Sequence, residues 1–155
     1  MDMEIAMTKE VLVKISGLQF APENDNEPIE LITSGDYYKR NGKHYIVYEE
    51  VMEGVPGTTK SIIKLNDDFL DITKKGATNV HMMFEKNRKN VTYYYTPYGS
   101  LLIGIDAKRV EIQESEHNID VKVDYELEVN YEHMADCSIT MNIKSKDAGD
   151  FRIQA

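Results

Sequence analysis

Apolar and polar residues alternate with a period of two along most of this chain, the signature of strands with one buried and one wetted face. The clearest run is Ile119, Val121, Val123, Tyr125, Leu127, Val129 and Tyr131, an apolar file whose intervening Asp120, Lys122, Asp124, Glu126, Glu128 and Asn130 are all polar. One side of that strand meets a core and the other meets water. Segments of the same kind fall at 8–19, 29–41, 43–52, 58–65, 68–75, 79–86, 91–96, 100–113 and 137–144. Turn residues separate them. Asn41-Gly42 suits a type I′ hairpin, which needs positive φ at both central positions, while Asn66-Asp67 and the stretches 53–57, 76–79 and 87–90 are longer or weaker turns. No long helical periodicity occurs. Short strands joined in sequence order describe an all-β antiparallel meander, and closing such a sheet removes its two sticky edges. The expected fold is a β-barrel of about 8 to 10 strands.

Carrying the tightest hairpin registers from strand to strand predicts which face of each strand points inward, because a slip of one residue inverts every side chain. Tyr93 and Tyr95 are expected inside opposite Ile103 and Leu101, followed by Phe84 and Met82, Ile72 and Leu70, and Ile63 and Ser61. Across the turn at 53–57 the inward set becomes Glu49, Val47 and Tyr45, and across Asn41-Gly42 it becomes Tyr38, Asp36, Ser34 and Ile32. A polar row of Ser34, Glu49 and Ser61, with Asp36 nearby, would interrupt the apolar interior. A buried carboxylate is costly unless it finds donors or takes up a proton. The same register sends Glu50 outward, opposite Lys60. Between Ala107 and Val110 the apolar phase switches from odd to even positions, which predicts a β-bulge near Lys108-Arg109.

Composition sharpens this picture in three ways. At 155 residues, with 41% hydrophobic and 29% charged positions, the chain reads as one globular domain over 1–155, with its core at 8–145 and irregular extensions at both ends, the acidic stretch Ala21 to Pro28 included. A net charge of -9 opposes a phosphate backbone, so nucleic acid is not an expected partner; Lys74, Lys75, Lys86, Arg88 and Lys89 read as solvated strand ends. A lone Cys137 inside an alternating strand cannot make an internal disulfide and reads as a small core residue, which fits a reducing cytoplasm. No apolar run approaches the ~20 residues of a membrane-spanning helix, so no membrane association is expected.

Candidate chemistry is sparse. Glu49 and Glu50 are adjacent on a strand and point to opposite faces, so they cannot embrace one substrate. His44, His81, His117 and His133 are dispersed and make no close metal-ligand spacing with one another or with Cys137, so neither a metal nor a cofactor is expected. No nucleophile elbow, phosphate-binding loop or dinucleotide fingerprint supports an enzyme. The candidate ligand-binding set is therefore Ser34, Asp36, Tyr38, Tyr45, Glu49, Ser61, Tyr93 and Tyr95, since pockets combine apolar walls with a few polar groups.

Gly35-Asp36-Tyr37-Tyr38, Tyr45-Ile46-Val47-Tyr48-Glu49-Glu50, Thr59-Lys60 and Tyr95-Thr96-Pro97-Tyr98-Gly99 occur in that order. In this they resemble the YwiB-like family of small bacterial proteins, classed as a domain of unknown function. The resemblance implies a calycin-like, lipocalin-like β-barrel and transfers no substrate or catalytic residue. Three functions follow as expectations. The first is a cytoplasmic barrel holding a small, partly apolar molecule near Glu49. The second is a solid scaffold acting through an outer face around Tyr48, Glu50 and Lys60, for which a homodimer would speak. The third is an enzyme using Glu49 or Asp36 as general acid/base.

Overall fold

The structure, a computed structural model, describes residues 9–17, 30–51, 56–77, 79–96 and 99–146. The acidic stretch at 21–28 and the chain beyond 146 lie outside them. Among the described residues ten strands form a single antiparallel sheet: β1 (Glu10–Ser16), β2 (Glu30–Arg40), β3 (Lys43–Val51), β4 (Thr58–Asn66), β5 (Phe69–Gly76), β6 (Val80–Glu85), β7 (Arg88–Thr96), β8 (Gly99–Ser115), β9 (Asn118–Val129) and β10 (Glu132–Ser145). Asn41 and Gly42 both take positive φ, 54° and 76°, as a type I′ turn requires. Asn66 accepts hydrogen bonds from the amides of Asp68 and Phe69 and so closes the next turn with its own side chain.

The strand order is β6-β5-β4-β3-β2-β1-β10-β9-β8-β7. The first and last strands pair with each other, Val11 with Ser145 through Ser16 with Thr140, so the meander curls into a nearly closed barrel. Its gap lies between β6 and β7, which follow one another in the chain. Among the described residues, pairing across that gap is the single bridge Asn79 with Tyr95. Carried along the strands, this bridge would set Glu85 opposite Lys89. The two-residue connection Lys86-Asn87 instead brings Glu85 against Arg88. The two registers differ by one residue, and a one-residue slip would turn an inward side chain outward. A continuous ladder cannot satisfy both ends.

The expected bulge is present, with the register of β8 against β9 shifting between Ala107 and Arg109. A second shift falls between His133 and Ala135 on β10. The odd file of β9 lines the core from Ile119 to Val129, each residue under a tenth exposed. Its expected last member, Tyr131, is instead 78% exposed, because Asn130 and Tyr131 both take positive φ and make the turn into β10. Phe84 and Tyr125 meet edge to face across the interior with ring centroids 5.1 Å apart.

Two predicted registers are corrected. β3 pairs with β4 so that Tyr48 faces Ser61 and Glu49 faces Lys60, one residue away from the expected pairing of Glu49 with Ser61. The inward residues of β3 are therefore His44, Ile46, Tyr48 and Glu50, while Tyr45, Val47 and Glu49 lie outside. β2 inherits the inversion through the pair Tyr38 with Tyr45, which leaves Ile32, Ser34, Asp36 and Tyr38 exposed and Tyr37 buried. β7 likewise pairs Tyr93 with Leu102 rather than Ile103, because Thr96 already pairs with Gly99. Tyr94 points in, and Tyr93 and Tyr95 point out.

Candidate functional site

Inside the barrel, under adjacent strands β3, β4 and β5, five polar side chains break the apolar lining: Tyr48, Glu50, Thr59, Ser61 and Lys74. Register alone brings them together, since Tyr48 pairs with Ser61, Glu50 with Thr59, and Ser61 with Lys74. The Lys74 ammonium donates to Glu50 Oε1 at 2.5 Å and to Ser61 Oγ at 3.2 Å. It also stands 5.7 Å from the centre of the Tyr48 ring, where the negative ring face attracts a cation. Lys74 is 5% exposed, so its ammonium is held largely out of water, where a charge must be matched to be tolerated, while Glu50 keeps partial contact with solvent. Burial and the neighbouring Glu50 carboxylate push the Tyr48 phenol well above its ordinary range, against the opposing effect of hydrogen bonding with Ser61. Tyr48 therefore stays a neutral hydroxyl. Both hydroxyls are buried; among the described residues Thr59 Oγ1 has no hydrogen-bond partner, and Tyr48 Oη has none beyond the Ser61 hydroxyl near it.

A second polar group lies towards the Arg40 end of β2. His44, 2% exposed, links Tyr37 on β2 to Glu114 on β8, with Nδ1 2.7 Å from the Tyr37 hydroxyl and Nε2 3.0 Å from Glu114 Oε2. An ionised carboxylate only accepts, so Nε2 carries a proton, and in the neutral ring Nδ1 accepts from Tyr37. This chain satisfies each member and ties β3 to β8 through the barrel interior. It is built as a brace.

The structure divides the predicted site. Ser61 joins the interior cluster. Ser34, Asp36 and Glu49 line an outer cleft of about 520 Å³ with Lys60, open to water. A buried carboxylate at Glu49, the premise for an acid/base role there or at Asp36, is not what the fold provides, since both are exposed. Tyr38 and Tyr45 stack on the outer face 4.9 Å apart, with the Arg40 guanidinium 5.7 Å from the Tyr38 ring. Tyr93 and Tyr95 stack 5.9 Å apart beside the β6–β7 gap and line a cleft of about 480 Å³ that also reaches Lys74 and Val80. Lys74, expected among solvated strand ends, continues the inward file of Leu70 and Ile72. That parity was the signal that could have found it. Glu50 and His44 were likewise marked by sharing the phase of Ile46.

The β10 irregularity puts His133 and Asp136 on one side although an odd spacing would separate them on a regular strand. His133 Nε2 lies 3.0 Å from Asp136 Oδ1. With Glu126 they could offer three ligand atoms within 4.8 Å of one another. The hydrogen bond to Asp136, with Glu126 and Glu128 adding negative charge, raises the His133 pKa. A proton NMR titration is expected to place His133 above the ordinary histidine value of about 6.5, and Asp136→Asn should bring it down. The folded state favours the protonated ring, so the pair adds stability below the ordinary value and loses it as pH rises through the raised one.

Comparison with known proteins agrees with this architecture. The chain is 25% identical over 120 residues to the uncharacterized beta-barrel protein YwiB of Bacillus subtilis (strain 168), covering 76% of this chain and 83% of the relative. The crystal structure of the ywiB protein from Bacillus subtilis superposes with a TM-score of 0.73 at 21% identity, covering 90% of this chain and 95% of that one. The family model described as Domain of unknown function (DUF1934) matches residues 13–141. A barrel of this register, matched over that span, belongs to the DUF1934 family.

Proposed function

We propose that the barrel binds a small, uncharged, partly apolar molecule whose polar end sits at Tyr48, Glu50, Thr59, Ser61 and Lys74. The observation that carries this reading is the pair of buried hydroxyls beside an ion pair, Thr59 Oγ1 without a partner and Tyr48 Oη with none beyond the Ser61 hydroxyl near it. An unsatisfied buried polar group costs roughly 1–3 kcal/mol, which a ligand carbonyl or hydroxyl would offset. Lys74 and Glu50 already neutralise each other, so an ionic ligand would bring an unmatched charge into the interior. Ile46, Ile63, Ile72 and Met82, buried core residues that follow these groups along the same inward files or pair across them, offer apolar contacts to the rest of such a molecule. The buried Cys137 fits a cytoplasmic setting, and the use of the interior is that of a calycin-like barrel.

Native mass spectrometry of the full chain purified from its own host tests this. A small-molecule adduct is expected on the wild type and is lost in the double variant Tyr48→Phe, Thr59→Val. An adduct-free wild type that also fails to enhance the fluorescence of the neutral probe N-phenyl-1-naphthylamine would overturn it. A second reading, association through the outer face, rests on the exposed Tyr38, with the Arg40 guanidinium over its ring, and on the exposed Ile32 further along β2. It is favoured if the protein sediments as a dimer that Tyr38→Ala returns to monomer.

A further inference from the structure

The β6–β7 gap is the one place among the described residues where consecutive strands of this meander lack a ladder. It is held at one end by the reciprocal hydrogen bonds of Asn79 with Tyr95, at 3.1 and 2.9 Å, and at the other by the chain connection at Lys86-Asn87. Between these points a side chain stands in for the missing backbone partner: Asn90 Nδ2 donates to the Met83 carbonyl at 3.2 Å. Such a bond can rotate away without unzipping a strand.

The cleft at this gap is lined by residues of both faces of the sheet. Lys74 and Val80 belong to the interior, and His81, Val91, Tyr93 and Tyr95 to the exterior. Here the wall includes Lys74, whose ammonium is bonded to Glu50 and Ser61 inside. Tyr93 and Tyr95, each 53% exposed, hold a stacked apolar surface at the rim, and Val91 at 52% extends it.

We infer that the neutral, partly apolar ligand reaches the interior sideways, through the β6–β7 seam, with its apolar portion passing over Tyr93 and Tyr95 and its polar end arriving at Lys74 and Tyr48. The mismatch of register keeps the seam unzipped, and Asn90 is its latch. This inference rests on the binding reading above, and the two fail differently.

The test uses N-phenyl-1-naphthylamine and the full chain in a Cys137→Ala background. His81→Cys and Tyr93→Cys stand opposite when the bridge register is carried two residues inward, and their disulfide, verified by mass, staples the seam. Stopped-flow association of the probe is expected to slow about tenfold or more on oxidation and to recover on reduction. Asn90→Ala is expected to speed association about threefold by freeing the latch. An oxidised protein that associates at the reduced rate, or an Asn90→Ala variant no faster than its parent, overturns entry through the seam while leaving interior binding intact. Probe binding that is insensitive to Tyr48→Phe, Thr59→Val overturns interior binding itself, and entry with it.

Discussion

Glu50→Ala is expected to lower the unfolding free energy by about 3 kcal/mol, at the lower edge of the range for breaking a buried ion pair. The variant leaves the Lys74 ammonium, 6% exposed at its side chain, without the carboxylate that made its burial tolerable. The lower edge applies because Glu50 itself is 19% exposed and water can partly replace it. The double variant Glu50→Leu, Lys74→Met is expected to return to within about 1 kcal/mol of wild type, since removing both charges also removes the desolvation that the pair had to offset. Urea denaturation with an unchanged slope checks both values. A single variant as stable as wild type would mean that the pair is hydrated in solution and not buried. The double variant also separates stability from function: it should fold and yet retain less probe, because Ser61 loses its Lys74 partner and two of the five polar groups of the site are gone.

Phe84→Ala is expected to cost about 3–5 kcal/mol, the range for emptying a large aromatic site in a packed core. Phe84 is fully buried, pairs with Leu70 across β5, and meets Tyr125 of β9 on the other side of the interior. The loss should not be uniform. Among the described residues β6 is laddered only to β5, so packing by Phe84 rather than a backbone ladder helps fix its other side against the barrel. Hydrogen exchange is therefore expected to show the amides of β6 opening well before those of β9, with the difference enlarged in the variant. Uniform loss of protection across all strands would show that β6 is not the weak element.

The order of strands and turns was readable because it depends on short-range chemistry. The alternation at 119–129 could only be a half-buried strand, Asn41-Gly42 could only favour a primed turn, and the phase change after Ala107 required an extra residue. The resemblance carried on Gly35 to Tyr38 and Tyr45 to Glu50 pointed to the same barrel, and the family match over 13–141 bears it out. The site was read less well. Ser61 was placed inside, where it lies, and Ser34, Asp36, Tyr38, Tyr45, Glu49, Tyr93 and Tyr95 were placed one face away from where they lie.

Alternation along a strand determines which residues share a face. It does not determine which of two faces is inside when both carry aromatic and charged residues, as on β2, β3 and β7. Tyr37 and Tyr38, Glu49 and Glu50, and Tyr93, Tyr94 and Tyr95 are near-equivalent in hydrophobicity, so the choice between them rests on register. Register in turn is fixed by how many residues each loop consumes, and the loops at 52–57 and 97–98 offered more than one count. Only the assembled sheet settled it, by pairing Tyr48 with Ser61 and Tyr94 with Leu101. The sequence by itself thus determined an antiparallel barrel of about 8 to 10 strands with an apolar interior, while the tertiary structure decided that Glu50 and Lys74, rather than Glu49, are the charges buried within it.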